Sequence, residues 1–307
     1  MGSEAHPADA ARLDIQPADA GRWAILNGFG RTLGDSLIGL TALAAARAHL
    51  PPDPVLFRLP GLAPVQQALY HTAGAAVRDL PWEAALPGRP FAPSAGFARV
   101  IELRDFAYDA AFARTSMVDF FLARLGLDPA AVPPAAKRNT WLAERLRPAP
   151  PRGLAPGYTL VCPNAAGALR QMPAEIHDAM LTRLADEGPV ATQGEVPAAL
   201  AHRVHALGPA ATLAELCGQV AAARRVVSTD TAMVHLADAF SVPCLAVFPT
   251  HDPAWRVRDY PHCVPVALAA DLPRGLEFPR GPADLAAARA AWFAIPLPAL
   301  LRSTGAG

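Results

Sequence analysis

The sequence has no surplus charge of either sign: Lys+Arg and Asp+Glu both number 27. A chain that grips nucleic acid usually carries a basic excess, so no nucleic-acid partner is expected. Cysteine is scarce, with four in 307 residues and no CxxC pair. That is too few for a disulfide scaffold. Cys162, Cys217, Cys244 and Cys263 read as free thiols in a reducing compartment. No uninterrupted run of 18 apolar residues occurs, so no membrane-spanning helix is expected. The N-terminus has no basic stretch followed by an apolar one, so no signal peptide is expected either. Together these absences point to the cytoplasm.

Apolar residues are plentiful, at 52% against 18% charged, which is ample for buried cores. The length suits two domains of about 150 residues each. Residues 1–21 read as a loose tail. From there strand-like and helix-like runs alternate. "WAILN" (23–27) is a short strand, "GFGRTLGD" (28–35) a glycine loop, and "SLIGLTALAAARAHL" (36–50) a helix stopped by Pro51 and Pro52. "RPAPPRGLAPG" (147–157) has no apolar period and reads as an interdomain linker. After it the alternation restarts: "YTLVCPN", "PVATQG", "RRVVS" and "VPCLAVF" are strands. "PAEIHDAMLTRLADEG", "EVPAALAHRVHALG", "TLAELCGQVAAA" and "TAMVHLADAF" are helices, and "PADLAAARAAWFAI" is a last helix. Such alternation predicts parallel sheets covered by helices. The expected architecture is two Rossmann-like α/β domains, 22–150 and 151–307, facing a cleft.

Ligands in open α/β sheets bind at the carboxyl ends of the strands. Three such ends in the second half carry candidate residues. The stretch "STDTAMVHLA" (228–237) leaves a strand and opens a helix. The free N–H groups and positive end of a helix suit an anion. The helix is expected to begin about Asp230 or Thr231; Thr229 and Thr231 add hydroxyls, and His235 stands one turn in. Alternatively, Asp230 is an ordinary N-cap and His235 a satisfied core histidine. "CPNAAGALRQMP" (162–173) offers Asn164, the small Gly167 and Arg170, a natural clamp for phosphate oxygens; it also reads as a plain loop with a solvated arginine. Glu195 follows a third strand and either accepts from a ribose hydroxyl or sits in the first turn of a helix. A nucleoside diphosphate suits that set.

The first half offers Gly28, Gly30 and Gly34, spaced GxGxxxG. This departs from the dinucleotide fingerprint, and Asp35 stands where a pyrophosphate would dock. The acid expected after the second strand is missing, since that strand ends at Arg58; an NADP site could use an arginine there. Asp35 reads as a carboxylate at a helix N-terminus aimed into the cleft, or as a cap. Arg31 and Gly34 flank it on what would be the acceptor side.

Gly34–Asp35 after a strand, "NAAGALRQMP", and "STDTAMVHLADAFSVPCLAVFPTHDP" together resemble the glycosyltransferase family 9 heptosyltransferases. The resemblance covers residues 23–260. The last motif, similar to that family's Asp-Ser/Thr-Gly-x-x-His-Leu-Ala helix with its following strand and Pro-Thr loop, is the most specific. Two departures crowd the phosphate pocket: Ala232 replaces the family's glycine, and Phe248–Pro249–Thr250 lacks the glycine before Pro-Thr. The resemblance implies a GT-B fold with the active site between the domains and single-displacement inversion at the anomeric carbon. In that scheme Asp35 is the general base. Arg170, the helix tip at Thr231, and His235 steady the leaving diphosphate. Asp230 caps the helix or holds a sugar hydroxyl, and Glu195 holds the nucleotide ribose. The implied donor is a nucleotide sugar, ADP-heptose, and the implied acceptor a glycan or lipid-linked hydroxyl, as in lipopolysaccharide. Peripheral association with the inner face of the inner membrane belongs to the same expectation. No metal or other cofactor is needed, and no two aspartates are separated by one residue to make the metal-binding DxD pair. Two rival readings are an NAD(P)-dependent oxidoreductase using the glycine loop and a non-catalytic nucleotide-sugar-binding protein.

Overall fold

The computed structural model describes residues 20–50, 54–58, 60–80 and 97–302. The tail expected over residues 1–21 lies, up to residue 19, outside them. The chain separates into two compact units, Met1–Ala136 and Lys137–Gly307.

The first unit holds a parallel sheet in the order β3-β2-β1-β4. Its strands are β1 (Trp23–Leu26), β2 (Val55–Arg58), β3 (Ala76–Asp79) and β4 (Arg99–Glu102). Parallel neighbours cannot be joined by a tight turn and need a crossover. Helix α1 (Leu33–Ala46) supplies it between β1 and β2, and α2 (Pro64–Thr72) between β2 and β3. Helix α3 (Met117–Arg124) follows β4 and packs on α1. Ala24, Leu26, Val55, Phe57 and Leu80 form a buried cluster in the sheet. Helix α1 begins earlier than the sequence pattern suggested, so Gly34 and Asp35 sit in its first turn rather than in a loop.

The second unit holds a six-stranded sheet in the order β10-β9-β8-β5-β6-β7, with every pair parallel. The strands are β5 (Tyr158–Cys162), β6 (Val190–Thr192), β7 (Val204–Ala206), β8 (Ala223–Thr229), β9 (Cys244–Phe248) and β10 (Cys263–Ala267). The central strands β5 and β9 are buried along their whole length, as a sheet covered on both faces requires. The helices are α4 (Trp141–Arg145), α5 (Ala174–Ala185), α6 (Leu213–Ala221), α7 (Ala232–Ala239), α8 (Pro282–Ala294) and α9 (Leu297–Arg302).

Three expectations are corrected. The helix expected over 195–208 is a single turn, Ala198–Leu200, followed by strand β7. Pro197 sits just before the turn, and Val204 fits an edge strand. Strand β10 was not foreseen, because Pro265 interrupts its apolar pattern; it lies at a sheet edge, where a missing N–H is tolerated. The helix expected to be last, α8, is followed by α9.

The units divide at 136/137, ahead of the expected 150/151 boundary. Residues 137–150 pack on the second unit because α7 holds them there. The buried Asp238 carboxylate accepts from Asn139 N at 2.8 Å, Asn139 Nδ2 at 3.1 Å and Arg138 Nε at 2.9 Å. Farther on, Ala149 N donates to Ala214 O at 2.9 Å. The proline-rich 147–157 segment therefore lies within the second unit.

Gly218, on α6, admits that strap. A Cβ added there would stand 1.6 Å from Ala149 O, a main-chain atom with little room to move. Gly218→Ala should destabilise the fold by about 1–3 kcal/mol, the usual cost of overpacking. A denaturant titration of the variant checks this; an unchanged midpoint would show that the strap yields freely.

Candidate functional site

The carboxyl ends of β5, β8 and β9 converge in the second unit on a cluster of buried charge. Asp230, just past β8, is 3% exposed. His251, on the loop after β9, has Nδ1 2.9 Å from Asp230 Oδ2, though turned off the hydrogen-bond direction. Its Nε2 stands 3.0 Å from Glu277 Oε1. Arg170, on the loop after β5, reaches Asp230 Oδ2 at 3.4 Å through Nη1 and Glu277 Oε2 at 3.6 Å through Nη2. Arg256 Nη2 lies 3.9 Å from Glu277 Oε1. Three cationic side chains thus surround two carboxylates, and Glu277 alone of the five is substantially open to solvent.

Burial pushes the Asp230 carboxyl up, but the contact and charge of His251, then Arg170 and Arg256, outweigh it and hold the group well below the usual carboxylate range. Burial pulls the His251 imidazole down, yet Asp230 and Glu277 prevail and raise it. Glu277 is lowered on balance, with His251 and the two arginines outweighing its burial.

His235 lies on the buried face of α7. Burial drives its pKa down to about 4, against the pull of Asp230, so the ring is neutral at pH 7. It therefore does not add the positive charge expected of it; its value to an anion is a hydrogen bond. Its Nδ1 is 2.9 Å from the Tyr260 hydroxyl. Asn139 Nδ2 donates to that hydroxyl at 2.7 Å, which leaves the Tyr260 hydrogen for Nδ1 and assigns the imidazole proton to Nε2.

Asp230 is not the helix cap. Thr231 is: its hydroxyl accepts from Met233 N at 3.2 Å, and α7 starts at Ala232. Thr229 is buried, and its hydroxyl donates to the carbonyl of Arg170, so it anchors the arginine's loop instead of facing outward. Gly167 is needed for closeness; a Cβ there would come within 3.3 Å of both Arg170 Nε and Glu277 O. Arg170 Nε is buried without a hydrogen-bond partner among the described residues. Asn164 donates to Gln193 O at 3.0 Å and accepts from Gln171 at 2.8 Å, which ties the β5 and β6 loops together. Glu195 is exposed beyond β6.

In the first unit, Asp35 occupies the first turn of α1, where its N–H donates to the Thr32 hydroxyl at 3.2 Å. Its carboxylate lies against Gly30; a Cβ on Gly30 would meet Asp35 Oδ2 at 2.8 Å. Gly34 is buried, and Arg31 is exposed with its carbonyl accepting from Gln66 at 2.8 Å. Arg58 is buried and donates to Gly28 O at 2.6 Å, so it is unavailable to a ribose phosphate and the NADP reading loses its arginine.

Residues 115–262 match the model of glycosyltransferase family 9 (heptosyltransferase). The chain carries a family 9 glycosyltransferase domain. A search of curated protein sequences finds no match. Among solved structures, the E. coli ADP-heptose LPS heptosyltransferase II is similar at a TM-score of 0.54 and 13% identity, over 89% of this chain and 99% of that one. The iron-containing dodecameric glycosyltransferase TibC of enterotoxigenic E. coli is similar at 0.59 and 17%, over 92% of this chain and 77% of that one. TibC in complex with ADP-D-β-D-heptose gives 0.57 and 14%, over 94% and 76%. At these identities the likeness is one of fold: the two parallel α/β sheets are those of GT-B heptosyltransferases. The family match makes the chain a glycosyltransferase.

Sequence reasoning missed His251, Arg256 and Glu277. His251 stood inside the quoted Pro-Thr-His-Asp loop and was legible as a titratable group at a strand end. Glu277 sits in a proline- and glycine-rich stretch with no motif, and only the fold brings it to the cluster.

The cluster predicts a pH signature. His251 is raised above the ordinary histidine value, so its stabilisation is complete below about 6.5 and is lost as pH rises through the folded-state value. Above pH 6.5 His235 is already neutral and does not interfere. Thermal melts from about pH 6.5 to 9 should therefore show Tm falling with pH in the wild type and a flatter profile in His251→Gln. Parallel profiles would mean that His251 carries no extra charge in the folded state.

Proposed function

We propose that the chain is an inverting glycosyltransferase that moves heptose from ADP-heptose to an acceptor hydroxyl of a cell-surface glycan or lipid-linked sugar, lipopolysaccharide above all. The observation that carries this reading is the gathering of Arg170, from the end of β5, and His251 and Arg256, from the end of β9, beside the tip of α7. A departing nucleoside diphosphate gains negative charge as the sugar bond breaks, and fixed positive groups stabilise that charge more in the transition state than in the ground state. Arg170 brings its buried, unpartnered Nε–H, and His235 an Nε2–H. The N–H groups that open α7 add the positive end of a helix. These groups supply the positive field that a divalent metal supplies elsewhere, and the reaction runs without one.

In the second unit Asp230 orients His251 and Arg170. Glu195, exposed at the end of β6, takes the ribose hydroxyls. Asp35, in the first turn of α1 in the first unit, is the general base that accepts the proton of the acceptor hydroxyl. The first unit is the acceptor domain and the second the donor domain, and the chain works in the cytoplasm against the inner face of the inner membrane. No described helix is long and apolar enough to cross a membrane. The oxidoreductase reading is not favoured, since Arg58 is committed to the Gly28 carbonyl and the family match is to a transferase.

Asp35→Asn should lower transfer by about 10²–10⁴-fold, the usual contribution of a general base, while ADP affinity stays within about twofold. The assay is release of ADP from ADP-heptose with a deacylated lipopolysaccharide acceptor, run in EDTA. Wild-type turnover by the asparagine variant, or loss of wild-type activity in EDTA and its return with magnesium, would contradict the scheme.

A further inference from the structure

The first unit buries a full positive charge. Arg58, at the end of β2, is 1% exposed. Its Nη1 donates to Gly28 O at 2.6 Å and to Ser36 Oγ at 3.2 Å, and it also reaches the Tyr70 hydroxyl. The guanidinium carbon sits 4.7 Å from the centre of the Tyr70 ring. Tyr70 repeats the pattern, donating to Gly28 O at 2.7 Å with Ser36 Oγ at 3.0 Å. These hydrogen-bond partners are neutral, and Arg58 Nε has none among the described residues. A buried cation is costly unless an opposite charge lies near, arginine does not escape by losing its proton, and the Asp35 carboxylate acts on Arg58 as that charge.

The same network supports an unusual loop. Between β1 and α1, Asn27 and Phe29 have φ of 56° and 65°, and Gly30 has 83°. Left-handed backbone at a buried phenylalanine is strained and persists only where surroundings enforce it. The Phe29 ring is clamped against Gly39, where an added Cβ would fall 2.0 Å from it, and makes an edge contact with Phe121 at 5.2 Å. Arg58 and Tyr70 fix the loop from the other side through Gly28. The loop in turn fixes Asp35, whose carboxylate lies on Gly30 and whose chain neighbour is Ser36.

We propose that Arg58 is the positioning residue for Asp35: it locks the strained 27–30 loop through Gly28 and Ser36 and supplies the buried counter-charge that keeps the Asp35 carboxylate ionised and in place. Resting on the reading of Asp35 as the base, the proposal deepens it by naming what holds that base ready. Among the described residues, Arg58 from β2 and Tyr70 from α2 act on Asp35 electrostatically, and Thr32 and Gly30 touch it on its own turn. Burial pushes the Tyr70 hydroxyl up to about 12, against Arg58, so it stays neutral at working pH. Arg58 is thus the charged member of the pair that faces the carboxylate.

The test is the titration of the Asp35 carboxyl by carbon NMR in the full-length protein, assigned by its loss in Asp35→Asn. In Arg58→Met the Asp35 pKa should rise by about one unit or more, and the acid limb of kcat/KM should move up with it. ADP affinity should stay within about twofold. Arg58→Lys, which keeps the charge, should restore most of the shift. If the methionine variant does not fold, the same titration on Arg58→Gln decides, since its amide retains hydrogen bonding to the loop. An Asp35 pKa unchanged in the folded variant, with only Tm reduced, overturns the proposal and leaves Arg58 a purely structural group. Should the pKa shift while Asp35→Asn still turns over normally, the positioning role of Arg58 stands and the general-base reading falls.

Discussion

Asp230 is a buried carboxylate, and much of the second unit follows from the need to match it. Leaving water costs an ion more than any single contact returns, so the charge survives only among fixed partners. His251, Arg170 and Arg256 are those partners: Arg170 arrives on the loop after β5, His251 and Arg256 on the loop after β9. Loops that must meet at one carboxylate cannot wander. The arrangement therefore does for three strand ends what no apolar core can do: it sets the positions of polar groups to within a hydrogen bond.

Matching Asp230 leaves the cluster cationic. With His251 protonated, three positive groups face two negative ones, and the open one, Glu277, is the outermost. A site that is buried, positive and half-open on one side is suited to an anion that comes and goes. The neutral His235 behind it adds direction without adding charge, because Tyr260 and Asn139 fix its tautomer. The first unit solves the converse problem. It buries a cation, Arg58, beneath the turn that bears Asp35. In both units a polar network well inside the protein sets the charge of a group nearer the surface.

The alternation of strands and helices was readable because parallel sheets demand it: buried runs such as "YTLVC" and "CLAVF" can only be central strands once helices flank them. The failures are local. Residues 195–208 carry enough alanine and leucine for a helix, yet Pro197 and the sheet edge make them a turn and a strand. The expected linker at 147–157 looked like a boundary because proline and glycine mark loops, but the Ala149 N–H donates to Ala214 O and Gly218 leaves room for that strap on α6. At the site, Arg170 and Asp230 were legible as residues at strand ends. Whether Thr229 faces a ligand or a carbonyl is set by one rotamer, and Glu277 is brought in by tertiary structure alone. Neither leaves a trace in spacing. Arg58 was seen as the end of a strand, but its burial was invisible, since the sequence around it names none of its partners.

The central claim is that the Arg170–His251–Arg256 cluster receives a nucleoside diphosphate, and calorimetric titration tests it most directly. ADP and adenosine are titrated into the wild type and into Arg170→Ala. Loss of a charged hydrogen-bond donor costs about 1.5–3 kcal/mol, so ADP should bind the variant roughly ten- to a hundredfold more weakly. Adenosine, which has no phosphate, should bind both alike. Equal ADP affinity in the two proteins, or an equal loss for adenosine, would show that the diphosphate does not sit on this cluster.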